Sequence, residues 1–169
     1  MDPSLVRLEP WTDVDLGLLR RINTPDMRAH VGGPESEERM LVRHRRYLDL
    51  VPSGIGCMYR IVLEPEDEAV GYAERDWQGA TVYEMGWNVL PGHQGRGIAA
   101  AAARAAVRAA ARTASHPWMH AFPSVGHPAS NAVCRKSGFT LLGETDFEFP
   151  PGRRMRSNDW RVALTADAA

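Results

Sequence analysis

The stretch from residue 83 to residue 112 constrains the fold more than any other: YEMGWNV, then LPGHQGRG, then IAAAAARAAVRAAAR. Apolar residues at alternate positions predict a strand. Pro91 and Gly92 break it, and an alanine-rich run, the best helix former, opens soon after. Between strand and helix stand Gly95 and Gly97, with Arg96 between them. Glycine takes backbone angles that a Cβ forbids and lets the chain approach a ligand closely. The first helical turn has N–H groups without intrahelical partners, and the helix dipole adds positive charge there. An anion, above all a phosphate, is their natural partner. No acidic residue lies between Glu84 and Glu144, so no neighbour in sequence contests that site. The pattern Gln94-x-x-Gly97-x-Ala99 is short, and its place between strand and helix carries the assignment. The alternative is a glycine-started helix with no ligand. A P-loop is excluded, because it needs Gly-Lys-Ser/Thr and Lys136 is the only lysine.

The remaining elements are placed around this unit. Residues 5–9 alternate Leu5, Arg7 and Glu9 with Val6 and Leu8, a short strand ended by Pro10. Thr12 or Asp13 caps a helix to about residue 21, burying Leu16, Leu19 and Ile22. Residues 23–34 are loop. A charged helix over 35–50 turns Met40, Leu41, Tyr47 and Leu48 inward. After a turn at 52–54, strands are predicted over 57–63, 69–76 and 81–89. An acidic turn at 64–68 and Gln78-Gly79 join them into an antiparallel meander. Trp118 to Phe122 reads as a strand parallel to the one ending at Val89, reached by a right-handed crossover. Pro128 starts a helix that Gly138 stops. Residues 139–149 and 155–164 form a last hairpin. The fold class is therefore α+β: a single mixed, mostly antiparallel sheet flanked by helices, with one central parallel pair. Residues 1–169 make one domain.

Charge narrows the function. A net charge of −1 and a pI near 6.6 argue against a nucleic-acid partner. The alanine helix is interrupted by Arg104 and Arg108, so no membrane span is expected. The first residues lack the apolar core of a signal peptide, and a cytoplasmic location is the default. Two distant cysteines, Cys57 and Cys134, and scattered histidines indicate neither a disulfide framework nor a metal site.

Two motifs then match one family. Val89-Leu90-Pro91 followed by Gln94-Gly95-Arg96-Gly97-Ile98-Ala99, and Pro128-Ala129-Ser130-Asn131 leading to Lys136-Ser137-Gly138-Phe139, resemble the GNAT superfamily of acyl-CoA N-acyltransferases. The likeness is strongest to the RimJ/RimL-like branch that acetylates N-terminal amines of ribosomal proteins. The resemblance implies acetyl-CoA as cosubstrate, no metal, and an amine-bearing acceptor, small molecule or protein N-terminus. It implies that backbone amides from Gly95 to Ala99 hold the pyrophosphate. It implies that the parallel pair splays to receive the pantetheine, with an amide near Val89 or Leu90 facing the thioester oxygen. Ser130 and Asn131 would sit beside the pantetheine. Two positions depart from the family: His127 where Asn is frequent, and Cys134 where many members carry a Tyr acid.

Acetyl transfer requires a base to take a proton from the substrate ammonium. Glu84, on the strand entering the glycine turn, is the candidate, and His120 on the opposite strand is the reserve. Cys134 is the candidate acid for the leaving thiolate, against its plainer reading as a small buried residue on the inner face of its helix. A catalytically weak CoA-binding sensor or interaction module on the same fold is the rival reading, which the two departures motivate. The sequence leaves the acceptor open, and with it a homodimer.

Overall fold

The computed structural model describes residues 6–63 and 67–165. Leu5 and the centre of the expected acidic turn, residues 64–66, lie outside the described residues. Among the described residues seven strands form one sheet, flanked by four α-helices. In chain order the elements are β1 (Arg7–Pro10), α1 (Leu16–Ile22), α2 (Glu37–Ser53), β2 (Gly56–Val62), β3 (Glu68–Trp77) and β4 (Ala80–Asn88). They continue with α3 (Ile98–Ala111), β5 (Trp118–Ala121), α4 (Pro128–Lys136), β6 (Thr140–Glu148) and β7 (Arg154–Ala163). The sheet order is β1-β2-β3-β4-β5-β7-β6. Only β4 and β5 run parallel; every other neighbouring pair is antiparallel.

The two faces of the sheet follow from strand alternation. Ile61, Val70, Tyr72, Tyr83, Met85 and Met119 pack under the alanine face of α3, together with Cys134 and Trp160. Ala102, Ala103 and Ala106 are fully buried there. Side chains this small let the helix axis sit close to the strands. On the opposite face Trp11, Leu18, Leu19, Ile22 and Ala69 form a second cluster with Met58 and Tyr47. Glu84, one position off Tyr83 and Met85, turns to that second face.

Local chemistry sets the registers. The β3–β4 hairpin closes through Gln78 (φ 49°) and Gly79 (φ 81°), both left-handed. Two such residues make the turn whose twist matches the flanking strands. Trp77 therefore opposes Ala80, and Ala73 opposes Glu84. β4 and β5 pair at Tyr83–Met119 and Glu84–His120, and their pairing stops there. Met85 to Asn88 and Ala121 to Pro123 then diverge around a cavity.

Several expectations need correction. Leu18 rather than Leu16 is buried on α1, and Leu41 of α2 is exposed. The helix α2 runs through Pro52 to a left-handed Gly54 cap, three residues beyond its expected end. The final hairpin forms as expected: β6 and β7 pair antiparallel at one end of the sheet, and β7 is the strand that lies against β5.

Candidate active site

Two cavities meet where β4 and β5 part. The larger, about 500 Å³, is walled by the turn after β4, the start of α3 and one side of α4. Gly95 (φ 74°) and Gly97 (φ 76°) both take left-handed angles. Gly97 is the N-cap of α3; no side chain caps this helix and its first turn holds no acidic residue. The first α-helical bond runs from the Ala101 N–H to the Gly97 carbonyl. The amides before it are the free donors that an anion would satisfy. Val89, Gln94, Gly95, Gly97, Ile98, Ala99 and Ser130 all line this cavity. Arg96 is exposed and stays outside the lining, whereas Lys136 enters it. Asp26, from the early loop, also reaches the wall, so a carboxylate does stand near the expected phosphate site.

A buried acid holds the turn in place. Glu68 is fully buried, and its Oε1 accepts from the Leu90 amide and contacts His93 Nδ1, each at 2.8 Å. The Gln94 side-chain amide donates to the Val89 carbonyl at 2.9 Å. The Leu90 amide is thus committed to a side chain, which corrects its expected place opposite a thioester oxygen. Asn131 is similarly occupied. Its Nδ2 donates to the carbonyls of Ser124 and His127, and its Oδ1 accepts from Asn158 Nδ2 and Trp160 Nε1. It ties α4 to β7 and does not line either cavity among the described residues.

The second cavity, about 230 Å³, lies on the α1–α2 face. Glu84 lines it, with Trp87, Phe122, Phe147, Arg28, Arg43 and Tyr47. Glu84 Oε2 accepts from Arg75 Nη1 at 2.8 Å. His120 stands beside Glu84 in register, but its Nδ1 contacts Asp159 Oδ1 at 2.7 Å and its ring is buried. It is not part of the cavity lining. Trp87 lines both cavities, whereas Trp118 stacks under the Arg161 guanidinium, 3.8 Å from the ring centre.

His30 and His127 mark the junction. Their rings stack with centroids 4.0 Å apart, and both residues line both cavities. His127 is the N-cap residue of α4 but makes no side-chain cap. Burial first, and then the His30 ring, lower its pKa.

The structure does not bring Cys134 to this site. Its side chain is fully buried in the α3-side core. Burial pushes its thiol up to about 12. A thiol that weak as an acid does not favourably protonate a leaving thiolate of ordinary pKa near 8.5. Its small volume on the inner face of α4 explains it as packing. Cys134→Ala is expected to leave turnover within about threefold and to cost ~1 kcal/mol of stability. Steady-state rates and a thermal melt check both.

No expectation drawn from the sequence singled out Arg28, His30 or Arg43 as a site residue, and Tyr47 was expected only to face inward. They come from the early loop and α2, remote in sequence from the glycine turn, and no local motif marks them.

A sheet split after two parallel pairings, with an uncapped helix start below the split, is the architecture of an acyl-transfer fold. A profile of the acetyltransferase (GNAT) domain matches residues 6–140. The chain belongs to this acetyltransferase family. Solved structures agree with the fold at low identity. The ribosomal L7/L12 α-N-protein acetyltransferase RimL, in complex with coenzyme A, superposes with a TM-score of 0.79 at 20% identity, over 96% of each chain. Spermidine N-acetyltransferase from Vibrio cholerae, with CoA and spermine, gives 0.74 at 16% identity, over 95% of this chain and 96% of that one. The structure of AAC(6')-Ib with paromomycin and acetyl-CoA gives 0.75 at 18% identity, over 96% of this chain and 94% of that one. No curated protein matches the chain by sequence. Among the described residues no helix is long and apolar enough to cross a membrane, and no cluster of side chains could hold a metal ion.

Proposed function

We propose that this acetyltransferase takes its acetyl group from acetyl-CoA and passes it to a primary amine, in a ternary complex and a cytoplasmic setting. The observation that carries the proposal is the meeting of the two cavities at the β4–β5 split, with anion-seeking amides in one and Glu84 in the other. The residues present fit the coenzyme: uncapped amides, two left-handed glycines and a lysine line a cavity of about 500 Å³.

Bound acetyl-CoA would supply an acetyl thioester, releasing CoA thiol when the acceptor nitrogen takes the acetyl group. Amides from Gly95 to Ala99 hold its diphosphate, and Lys136 and Arg96 add positive charge at the rim. Ser130, which lines both cavities, stands along the path between them. With the Leu90 amide engaged by Glu68, Val89 is the position left to polarise the thioester oxygen. Glu84 takes the ammonium proton, directly or through water, and His120 backed by Asp159 is the reserve. Holding both reactants in place supplies much of the acceleration.

The absence of an acid at Cys134 favours one second reading, a CoA-binding sensor without turnover. Acetyl-CoA raises the melting temperature in both cases. Only the enzyme releases CoA thiol when a broad amine panel is added. Binding without release across that panel would select the sensor. An unchanged melting temperature at saturating acetyl-CoA would remove both.

A further inference from the structure

The acceptor cavity carries more charge information than a generic amine site needs. Arg28, from the loop before α2, and Arg43, from α2 itself, both line it. Both are buried along their length: the Arg28 side chain is 6% exposed and that of Arg43 12%. They share a single carboxylate. Arg28 Nη2 lies 3.2 Å from Glu35 Oε1, and Arg43 Nη2 makes the closer contact to the same oxygen. Arg28 Nε also donates to the Gly33 carbonyl at 3.2 Å. Glu35 does not line the cavity. What a ligand meets from this trio is therefore the two guanidiniums, with one positive charge uncompensated.

The two arginines fare differently. For Arg28, burial and then the Arg43 cation hold the guanidinium below its usual range. For Arg43, burial works in the same direction but is outweighed by Tyr47 and Glu35. By geometry Arg43 makes the closer contact to the shared carboxylate, while Arg28 divides its donors between that carboxylate and the Gly33 carbonyl. The other charged group on the wall, Glu84, is already paired with Arg75. His30 and His127 complete the titratable lining with Tyr47. The arginines at 153, 154 and 156 are not part of the lining, and Arg156 is taken up by Glu144 and Asp146 on the surface.

α2 packs on β2, which is two strands from β4 in the sheet. Arg28, Arg43 and Glu84 line one cavity of about 230 Å³, so a small acceptor that enters it meets all three.

We infer that the acceptor is a small amine that also carries a carboxylate, its ammonium toward Glu84 and its carboxylate on Arg28 and Arg43. This rests on the acetyl-transfer reading above and narrows it to one substrate class. Guanidinium–carboxylate pairs are directional and strong when desolvated. Polycations such as spermidine or an aminoglycoside place a second positive charge against the uncompensated guanidinium, and like-charge contacts of this kind select against a ligand.

Matched acceptors test it. Kinetics of CoA release are compared for ω-amino acids of increasing chain length, for their carboxamides, and for spermidine. The carboxylate form is expected to exceed its carboxamide in kcat/KM by about tenfold or more. That ratio should fall toward one in Arg28→Gln and in Arg43→Gln, and recover in Arg28→Lys. A ratio taken within one variant does not depend on how much of it is folded. The same amino acids, and not their amides, should further raise the melting temperature of the CoA-bound enzyme. Preference for carboxamides or spermidine, or a ratio unmoved in both glutamine variants, would overturn the inference while leaving acetyl transfer intact. Acetyl-CoA binding with no amine of either kind consumed would overturn the acetyl-transfer reading, and this inference with it.

Discussion

Gly97→Val is expected to weaken acetyl-CoA binding by at least about a hundredfold while the chain stays folded. Gly97 caps α3 at φ 76° and ψ 3°, a conformation that strains any residue with a Cβ and a branched one most. Forcing valine there costs of order 1–3 kcal/mol, a fraction of the 5–15 kcal/mol typical of a folded domain. The effect on the ligand is larger. If the backbone yields, the turn swings its amides out of convergence. If it holds, the isopropyl group stands at the cavity wall where the phosphates belong. Hydrogen bonds to a charged group contribute about 1.5–3 kcal/mol each, and losing about 2.7 kcal/mol is a hundredfold in affinity. Gly92→Ala is the control: an added Cβ there meets nothing within 4 Å and its φ is not left-handed. It should bind acetyl-CoA as the parent does. Calorimetric titration and a circular-dichroism melt on both variants decide the matter. Full affinity in a folded Gly97→Val protein would take the coenzyme out of this cavity.

The glycine turn and the uncapped helix start were legible because their determinants are local. Two glycines, a proline break and an alanine run stand in one stretch, and each acts on its own backbone. The same holds for the element order, where alternation and punctuation carry the signal. What escaped was pairing between distant segments. Nothing in residues 154–163 announces that β7 is the strand that lies against β5, because a strand's own pattern names its buried face and not its neighbour. Leu90 looked like a free donor because Glu68, 22 residues earlier, gives no sign in sequence that it will be buried against it. Asn131 looked like a ligand contact, and its four hydrogen bonds to Ser124, His127, Asn158 and Trp160 use up what it could offer. Cys134 occupied the place of an acid in the motif, but the inner face of α4 decides its chemistry by excluding water. The arginine pair in the acceptor cavity was invisible for the same reason. Segments that line a pocket from the far side of the chain share geometry without sharing a motif.

Glu84→Gln is expected to lower turnover several-tenfold at pH 7 and to leave acetyl-CoA affinity unchanged. The carboxylate is held on the cavity wall rather than free in solvent. Arg75 Nη1 lies 2.8 Å from Oε2, and the Arg75 guanidinium is itself seated over the Phe147 ring, 4.1 Å from its centre. Glutamine keeps the shape and can still accept from Arg75, but it cannot take a proton. General bases contribute about 10²–10⁴ in rate; with water as a partial substitute, the loss settles in the tens. The ion pair is about a quarter exposed on each side (26% and 27%), so its removal costs at most ~1 kcal/mol. The melting temperature should fall by no more than about 4 °C. The pH dependence separates proton transfer from a structural effect. An aliphatic acceptor amine has a pKa near 10. As pH rises toward it the acceptor arrives already deprotonated, and the handicap of the variant should shrink. A ratio of parent to variant kcat/KM that declines from pH 7 to pH 10 is therefore the expected signature. A deficit constant across that range, or no deficit at pH 7, would remove Glu84 from the proton path and turn attention to His120 and its partner Asp159.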